Sequence, residues 1–332
     1  MGVTKLMKTN SNGKHLHATN LMSSVIATKT LDLAFKFIYK ARIENSANSD
    51  IWEISTNWPK YRELLQTQVL SNNFYLSPVE CFISSKTNKL ITRWSSLDSI
   101  LLKAISMTIG PVVKKFVGPN CIHLAGNGGT TAGVIAATQA AKNYKYVIKS
   151  DVANFYDSSE HHIVLREVQK VIKDRKIINI IQQVLNRCEI QNANHLIIEC
   201  GIPMGCSISP LLGALMLKTL DDSLNEVGVF YIRYMDDWLV FTNQRKQLRR
   251  LVIKMHKTMH HLKYKLAVLK TYIGKVCRGF DFLGRRFNYN GLIGIAVASM
   301  SNFCDNLRRL YEQNASENRI AAYVTRWQRW AG

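Results

Sequence analysis

Residues 229–242 read VFYIRYMDDWLVFT, with two short apolar runs on either side of Met235-Asp236-Asp237. Short runs rich in β-branched and aromatic residues, joined by a tight polar segment, are typical of a β-hairpin. The pattern predicts a hairpin that carries Asp236 and Asp237 at its tip. An isolated Asp-Asp pair is also an ordinary turn sequence, so the pair alone does not indicate a site.

A third acid stands at the end of another predicted strand. Residues 144–150 (YKYVIKS) have strand composition and lead directly into Asp151. Carboxylates at strand ends can converge without burying unpaired charge, but three of them close together repel each other unless divalent cations bridge them. Oxygen ligands suit Mg2+, and two such ions ~3.5–4 Å apart can promote nucleotidyl transfer. The three acids therefore predict two Mg2+ ions, for which Mn2+ could substitute.

The charge balance is strongly basic, with 44 Lys plus Arg against 23 Asp plus Glu in 332 residues and a formal net charge of +21. Such an excess favours a polyanionic partner, because each neutralised phosphate releases condensed counterions. The excess is densest from Arg245 to Arg286, where thirteen Lys or Arg residues stand with a single acid, Asp281. We predict that this segment follows a nucleic-acid backbone. Its candidate contacts are Arg249, Lys257, Arg285 and Arg286.

Cysteine usage and the N-terminus indicate a cytoplasmic protein. The seven cysteines are scattered and include no C-x-x-C pair, which argues against a disulfide framework or a zinc ribbon. The first 20 residues are polar and basic and lack the apolar core of a signal peptide. The most apolar stretch, residues 201–217, is broken by Pro203 and Pro210, so we predict no membrane span.

Periodicity and capping residues predict intermixed helices and strands. Because these do not alternate regularly, the predicted fold class is α+β. Strands are predicted over residues 79–94, around a turn at Lys86-Thr87-Asn88. Helices are predicted over residues 30–43, from Asn57 as N-cap, after Ser95 or Ser96, from Ser209 as N-cap to about Glu226, and over residues 244–262.

Five motifs together resemble those of reverse transcriptases. Each is weak alone, and their shared order and distances make the set specific. The resemblance covers about residues 85–290 and is greatest to bacterial enzymes of the group II intron, retron, diversity-generating and defence-associated types. The motifs are Asp151-Val-Ala-Asn-Phe155-Tyr156, Gly201-Ile-Pro-Met-Gly205-Cys-Ser-Ile-Ser209-Pro210, Tyr234-Met235-Asp236-Asp237, Lys270-Thr271 and Phe282-Leu283-Gly284.

The resemblance implies a right-hand polymerase fold with fingers, a palm of antiparallel sheet plus helices, and a small helical thumb. The short stretch after Gly284 leads us to expect no nuclease, integrase or RNase H domain. The implied divisions are a flexible basic N-terminus (1–25), an N-terminal extension and fingers (26–143), the palm (144–284, with fingers helices at 160–195) and the thumb (285–332).

The same resemblance implies roles around the acids. Asp151 and Asp236 would be the main ligands of both metal ions, and Asp237 would contribute charge or a second ligand. Val152 is included in this metal site. Lys270 would be the general acid for the departing pyrophosphate if burial or neighbouring cations tuned its pKa. An ordinary phosphate-contacting lysine is the alternative.

A nucleotide-binding set is implied as well. Tyr156 stands at the steric-gate position, where its ring would exclude a ribose 2′-hydroxyl and select deoxynucleotides. Gly205 would let the backbone approach the nucleotide closely. Met204 stands where many relatives have Gln, and a hydrogen bond is thereby lost. The other members are Phe155, for which core packing is the alternative, and Lys89 and Arg93, at the positions of basic residues over the triphosphate.

The glycines Gly126, Gly128 and Gly129 lead into an alanine-rich predicted helix. No lysine precedes Thr130, so the cluster is not a Walker A loop. Its amides, at a helix N-terminus, could hold the template backbone. A tight turn explains the glycines equally well.

The predicted function is RNA-directed DNA synthesis, with an RNA template, dNTPs and a cDNA product as partners. We expect the template to be a structured non-coding RNA dedicated to this protein, and antiphage defence is the biological hypothesis. RNA-dependent RNA polymerases usually carry a second Asp five residues after the first and a Gly-Asp-Asp box, where this chain has Tyr156 and Tyr234-Met235. The other alternative is a maturase-like RNA-binding protein, or a scaffold of a retroelement, with little polymerase activity. The oligomeric state stays open.

Overall fold

The structure, a computed structural model, describes residues 21–83, 90–191 and 194–331. Helices and strands are intermixed, which confirms the predicted α+β class. The helices are α1 (Met22–Val25), α2 (Thr28–Arg42), α3 (Asp50–Thr56), α4 (Trp58–Leu70), α5 (Ser96–Val117), α6 (Gly129–Asn143), α7 (His161–Val171), α8 (Arg175–Leu185), α9 (Ser209–Met216), α10 (Lys218–Val227), α11 (Arg245–His261), α12 (Val297–Glu312) and α13 (Glu317–Ala331). The strands are β1 (Val79–Ile83), β2 (Leu90–Arg93), β3 (Tyr146–Ser150), β4 (Cys188–Gln191), β5 (Asn194–Ile197), β6 (Phe230–Tyr234), β7 (Asp237–Thr242), β8 (Tyr272–Lys275), β9 (Phe280–Phe282), β10 (Arg285–Asn288) and β11 (Gly291–Ile295).

An antiparallel four-stranded sheet carries the predicted acids, with the strand order β6-β7-β3-β8. β6 and β7 form the predicted hairpin, and Met235 and Asp236 are its two-residue turn. β3 lies between β7 and β8, and its last residue, Ser150, pairs with Trp238 of β7. The strand end that precedes Asp151 therefore lies beside the hairpin tip.

Both faces of this sheet are covered. Val147 of β3 packs in a core formed with α6 and the strands β9 and β10, whereas Ile148 packs in a second core with α11. Adjacent residues reach opposite cores because successive side chains of a strand point to opposite faces. The predicted helix over residues 244–262 is α11, which buries Leu251 and Met255. A sheet that is packed on both sides gives the acids at its end a rigid base.

The long helix α5 organises the N-terminal half, where α1, α2 and α3 pack against it. Ser95, one of the two predicted caps, is its N-cap, and the Ser95 hydroxyl accepts a hydrogen bond from the Asp98 amide at 3.0 Å. The predicted helix over residues 30–43 is α2, and α4 starts at Trp58 after the predicted N-cap Asn57. A second sheet has the order β2-β1-β4-β5. The predicted turn at residues 86–88 lies outside the described residues.

The predicted helix from Ser209 to about Glu226 differs from the observed structure. Ser209 is the first helical residue and Ile208 is the N-cap, because the Ser209 hydroxyl donates to the Pro203 carbonyl at 2.6 Å instead of capping. The helix is also interrupted between α9 and α10. Near the end of α9, the Ala214 carbonyl accepts a hydrogen bond from a guanidinium 19 positions away. The helix was predicted from local periodicity, which contains no information on a partner so distant in sequence.

The C-terminal part contains a three-stranded sheet, β9-β10-β11, and the helices α12 and α13. Leu283 and Gly284 join β9 to β10, so this sheet extends across the division predicted at residue 284. Neither α12 nor α13 contains a buried residue. The two helices meet through the stacked rings of Phe303 and Trp327, 4.1 Å apart between centroids.

Among the described helices, none is long and apolar enough to cross a membrane. All seven cysteines are free thiols.

Candidate active site

Asp151, Asp236 and Asp237 come together at one end of the four-stranded sheet. Asp237 is the first residue of β7, and Asp236 precedes it in the turn. Asp151 follows β3, and because Ser150 pairs with Trp238, the antiparallel register brings Asp151 beside Asp237. The acids that the sequence singled out are thus neighbours in space.

Two carboxylate oxygens of this cluster are buried without a hydrogen-bond partner, Oδ1 of Asp151 and Oδ1 of Asp237. Burial is the largest cause that raises the pKa of Asp237 to about 7, and Asp151 and Asp236 add to it against the opposite effect of Lys149. A bound cation would stabilise carboxylates that are buried beside like charges.

The acids fit hard divalent cations whose coordination is completed by other ligands. Within the described residues, no three His, Cys, Asp or Glu side chains form a metal site by themselves. Mg2+ commonly keeps several waters and takes one or two carboxylates plus substrate phosphates. The unpartnered oxygens of Asp151 and Asp237 are suitable donor atoms.

Lys270 provides a positive charge at this cluster. Its Nζ lies 2.9 Å from Oδ2 of Asp151, and the Lys270 side chain is 61% exposed. The hydrogen bond to Asp151 is the largest cause that raises the pKa of Lys270, and the charges of all three acids contribute. In this state the ammonium is a counter-ion of the acids, and their effect outweighs burial, which lowers the pKa of Lys270.

Val152 lies next to Asp151 with its side chain buried. It faces Leu266 in an isolated antiparallel bridge, whose hydrogen bonds run through the residues on either side, from Ala153 N to Lys265 O and from Ala267 N to Asp151 O. In such a pair the amide and carbonyl of Val152 point away from the Leu266 strand. Only the main chain of Val152 offers an oxygen to a metal ion.

The turn that carries Asp236 has an uncommon backbone conformation, since Met235 has a φ of +57°. A non-glycine residue in the left-handed region costs roughly 1–2 kcal/mol, and two-residue hairpin turns require such a φ. Two side chains stabilise it: Arg233 Nη1 donates to the Met235 carbonyl at 2.9 Å, and His123 Nδ1 accepts from the Met235 amide at 2.9 Å.

His123 is held in one neutral tautomer. Because Nδ1 accepts from the Met235 amide, the proton is on Nε2, which faces the Pro210 carbonyl at 3.2 Å. Burial, and then the nearby Arg233 charge, lowers the pKa of His123 to about 4. His123 was not among the predicted site residues, since nothing in its local sequence marks it.

Arg233 and Asp221 form a buried ion pair behind the turn, with side chains 0% and 1% exposed. The guanidinium donates from Nε to Oδ1 at 2.9 Å and from Nη2 to Oδ2 at 2.5 Å. Burial, the largest influence, would lower the pKa of Arg233, but the Asp221 carboxylate and smaller contributions from Cys121 and Tyr231 together raise it. Neither residue of this pair was among the predicted site residues. It connects α10 to the Met235 carbonyl.

A cavity of about 540 Å³ adjoins the acids. Several predicted site residues line it together: Phe155, Tyr156, Met204, Asp236 and Lys270. The Tyr156 hydroxyl lies 3.9 Å from Sδ of Met235, so the predicted steric gate contacts the turn of the acids. Phe155 is buried between the rings of Tyr156 and Tyr264, which fits the core-packing alternative.

Gly205 lies where the loop after Met204 meets β2. Its φ is +97°, and a Cβ there would stand 2.8 Å from the Thr92 carbonyl oxygen. Thr92 binds the loop through its amide and hydroxyl, which donate to the Met204 carbonyl at 3.1 and 2.6 Å. Arg93, the next residue, instead lines another cavity, with Nη1 3.8 Å from Glu80. Lys89 lies outside the described residues.

The glycine cluster forms a closed turn. Gly128 has a φ of +89° and is the N-cap of α6, and the Gly129 amide donates to the Ile122 carbonyl at 3.0 Å. Asn127 donates to the carbonyls of Gly118 and Cys121. The tight-turn alternative accounts for these contacts. A Cβ at Gly126 would lie 2.6 Å from Nζ of Lys114.

The four predicted basic contacts divide into two pairs. Arg249 and Lys257 are exposed on α11. Arg285 instead donates to the carbonyls of Trp330 and Ala331 and lies over the Trp330 ring at 4.5 Å. Arg286 pairs with Asp281 at 3.0 Å. The second pair thus also has a structural role.

Two known proteins are similar to the chain over part of its length. Protein YkfC of Escherichia coli is 24% identical over 177 residues, which cover 43% of this chain and 46% of that protein. The "Putative COX1/OXI3 intron 2 protein" of Saccharomyces cerevisiae is 20% identical over 226 residues, which cover 67% of this chain and 26% of that protein. The chain thus spans less than half the length of each relative.

A family model described as reverse transcriptase (RNA-dependent DNA polymerase) matches residues 85–287, more than half of the chain. The matched range contains the three acids, the cavity beside them, and the His123 and Arg233 contacts behind them. The resemblance first seen in the motifs is confirmed: the chain belongs to the reverse transcriptase family.

Proposed function

We propose that the chain is an RNA-directed DNA polymerase in which Asp151, Asp236 and Asp237 hold two Mg2+ ions. The observation that carries the proposal is the pair of buried, unpartnered carboxylate oxygens on Asp151 and Asp237 at the Asp236 turn. Bound divalent ions would activate the primer 3′-hydroxyl and stabilise the departing pyrophosphate. Family membership supports RNA as the template and DNA as the product.

Residues around the acids would bind and select the nucleotide. Lys270 would leave Asp151 when cations bind there, and its ammonium would then contact the triphosphate or donate a proton to the leaving group. Tyr156 would form the wall beside the sugar, where a ribose 2′-hydroxyl would collide with its ring. Met204 gives this wall an apolar side chain in place of an amide.

The proposed division is a palm over residues 144–284 with fingers helices at 160–195, an extension and fingers over 26–143, and a thumb over 285–332. The sheet that carries the acids falls in the first range, which supports its assignment as the palm. The exposed helices α12 and α13 support the assignment of the thumb.

Primer extension tests this function. The purified chain is given an RNA template with a DNA primer, dNTPs and Mg2+, and is compared with an Asp236→Asn, Asp237→Asn variant. We expect cDNA from the wild type alone, with equal RNA binding by both. Mn2+ binding, followed by electron paramagnetic resonance, should weaken in the variant. Equal extension by the two proteins would refute the assignment of the acids.

A maturase-like RNA-binding protein with little polymerase activity is the second candidate. One specific observation favours it: a relative that is 20% identical is named as an intron protein. The same assay separates the candidates. Tight RNA binding without extension by the wild type, at any Mg2+ or Mn2+ concentration, would support the second candidate.

We further propose that the template is a structured RNA dedicated to this protein; the net charge of +21 supports RNA as the partner. Sequencing of RNA that co-purifies with the chain should return one dominant transcript. The hypothesis of antiphage defence is tested by phage plating on cells that express either the wild type or the Asp236→Asn, Asp237→Asn variant. A random sample of cellular RNA would contradict the dedicated template.

A further inference from the structure

Another cavity, of about 720 Å³, lies at the end of the four-stranded sheet that is remote from the acids. Tyr146, the first residue of β3, lines it, whereas Asp151 follows the other end of β3. Five residues of strand at about 3.3 Å each separate the two ends by roughly 16 Å. The cavity is therefore distinct from the one that contains Asp236.

Three lysines converge on this cavity from different elements. Lys142 is in the last turn of α6, Lys145 precedes β3, and Lys275 ends β8. All three are exposed, none pairs with an acid in the described part of the chain, and no acidic side chain lines the cavity there. The dipole of α6 favours one cation at its C-terminus, but it accounts for neither Lys145 nor Lys275. Three unpaired cations around one cavity favour an anionic ligand.

An exposed aromatic ring stands beside these lysines. Tyr289 is 59% exposed and lies in the two-residue turn between β10 and β11. The turn rests on α6, since a Cβ at Gly291 would stand 2.8 Å from Cε of Lys142. By contrast, Tyr144, also in the cavity, stacks on Phe230 at 5.9 Å. Tyr289 thus offers a free face on a fixed support, as stacking of a nucleobase requires.

The Asn243 side chain holds the backbone beside the cavity through two hydrogen bonds. Asn243 Oδ1 accepts from the Lys145 amide at 2.9 Å, and Asn243 Nδ2 donates to the Asn143 carbonyl at 3.4 Å. Arg245 and Lys246 follow at the start of α11 and are exposed. Positive charge therefore continues from the cavity onto the basic helix.

We propose that this cavity binds one or two unpaired nucleotides of the RNA, outside the part that is being copied. The lysines contact the phosphates and Tyr289 stacks on a base. A flat basic surface would suit a duplex, but a concave site with a free ring suits a strand whose bases are unstacked. This proposal rests on the proposed function in one respect, namely that the polyanion is RNA.

Cys277 allows a test on the unaltered chain, because it is an exposed thiol that lines the cavity. The chain is treated with a maleimide in EDTA, with and without an unstructured RNA of about 20 nucleotides, somewhat longer than the ~4–16 nucleotides that a single-strand binding module covers. Labelling is located by mass spectrometry. We expect the RNA to protect Cys277 more than the exposed Cys200 and Cys304. Equal labelling with and without RNA, or equal protection by fully duplex RNA, would overturn the proposal.

Variants supply the second test, by fluorescence anisotropy of the same RNA. Tyr289→Ala should weaken binding about 5- to 100-fold, whereas Tyr289→Phe should retain it. Replacing Lys142, Lys145 and Lys275 by Gln should reduce the magnitude of the slope of log K against log[salt] by about 2. The matched control replaces three exposed lysines of α2 and α4, Lys29, Lys40 and Lys60, by Gln. If the two triple variants lost equal RNA affinity, binding would depend on net charge alone, and the proposed site would be refuted.

The outcome is separable from that of the polymerase assay. Protection of Cys277 is measured without metal or nucleotides, so it persists if the chain binds RNA but does not extend a primer. Conversely, extension of a short primer–template whose only unpaired RNA is the stretch to be copied should change less than about twofold in the Lys142, Lys145 and Lys275 variant, since charge outside the site acts weakly through salt.

Discussion

The imidazole Nδ1 of His123 accepts a hydrogen bond from the backbone amide of Met235 at 2.9 Å, across 112 positions of sequence. Met235 is the left-handed residue of the turn that carries Asp236. The segment of His123 is itself attached to β6, through the bond from the Ile122 amide to the Arg233 carbonyl at 2.9 Å. The position of Asp236 therefore depends on a residue outside the hairpin.

Replacing His123 by Ala should slow primer extension while RNA binding stays unchanged. The Met235 amide would lose its acceptor, and stability should fall by about 1–3 kcal/mol. The side-chain carbonyl of His123→Asn can occupy the place of Nδ1, so this variant should recover part of the extension rate and part of the stability. Rates of single-nucleotide addition and urea unfolding measure the effects. Full activity in the Ala variant would show that the turn does not need this bond.

Stability should depend on pH through His123. Its pKa is about 4 in the folded protein, below the value of about 6.5 expected in the unfolded chain. Between these values the unfolded chain binds the proton and the folded protein does not, so the stabilisation is complete above pH ~6.5 and decreases as the pH falls towards 4, by up to about 3 kcal/mol. The wild type should therefore lose more stability than His123→Asn between pH 7 and pH 4.5. A constant difference between the two proteins would contradict this.

Removing one partner of the Arg233–Asp221 pair should be strongly destabilising. Arg233→Met leaves a buried carboxylate unpaired, which costs about 3–5 kcal/mol. Adding Asp221→Leu should restore most of the stability but not the extension rate, because the Met235 carbonyl still lacks its donor. Lys254→Met, which breaks an exposed pair with Glu226, is the control and should change stability by less than about 1 kcal/mol. Recovery of both properties in the double variant would argue against a positioning role.

Removing the Lys270 ammonium should tighten metal binding. Lys270 pairs with Asp151, so an incoming cation has to displace it. Because the side chain is well exposed, we expect Lys270→Met to lower the Kd for Mn2+ only about 2- to 5-fold, while primer extension slows. Lys265→Met, a neighbouring exposed lysine, should change neither. Unchanged Mn2+ affinity in Lys270→Met would mean that the ammonium and the ion do not compete.

The ring of Tyr156 should determine sugar selectivity. Tyr156→Ala opens the wall of the cavity beside Asp236, and the ratio of kcat/KM for dNTP over rNTP should fall about 10- to 100-fold. Tyr156→Phe keeps the ring and loses only the contact to Met235 Sδ, so it should keep the selectivity. Competition between dGTP and GTP at one template position gives the ratio directly.

Structural features that depend on residues close in sequence could be predicted from the sequence. The β6–β7 hairpin follows from two apolar runs around a tight turn, and α11 follows from its apolar periodicity. Ser95 marked the start of α5, because a cap requires only a hydroxyl three residues before a free amide. Asp151 and Asp237 could be expected to meet once both were assigned to strand ends.

The support behind the acids could not be predicted, because it depends on distant partners. His123 looks like an ordinary polar residue until the fold brings it to Met235, 112 positions away, and Arg233 does so until it meets Asp221, 12 positions away. The end of α9 receives another bond of this kind, from Arg233 Nη2 to the Ala214 carbonyl, 19 positions away. Local patterns contain no information on bonds of this range.

The absence of buried residues in α12 and α13 has a consequence for how the chain unfolds. They are attached to the preceding sheet by the Trp330 indole, which lies over Arg285 and against Gly284, and by the Trp330 and Ala331 carbonyls, which accept hydrogen bonds from Arg285. Separating this pair of helices exposes little apolar surface, so they should open at a much lower free energy than the sheet that carries the acids. In native-state hydrogen exchange, amides of residues 297–331 should exchange early, while those of β3 and β7 persist until global unfolding.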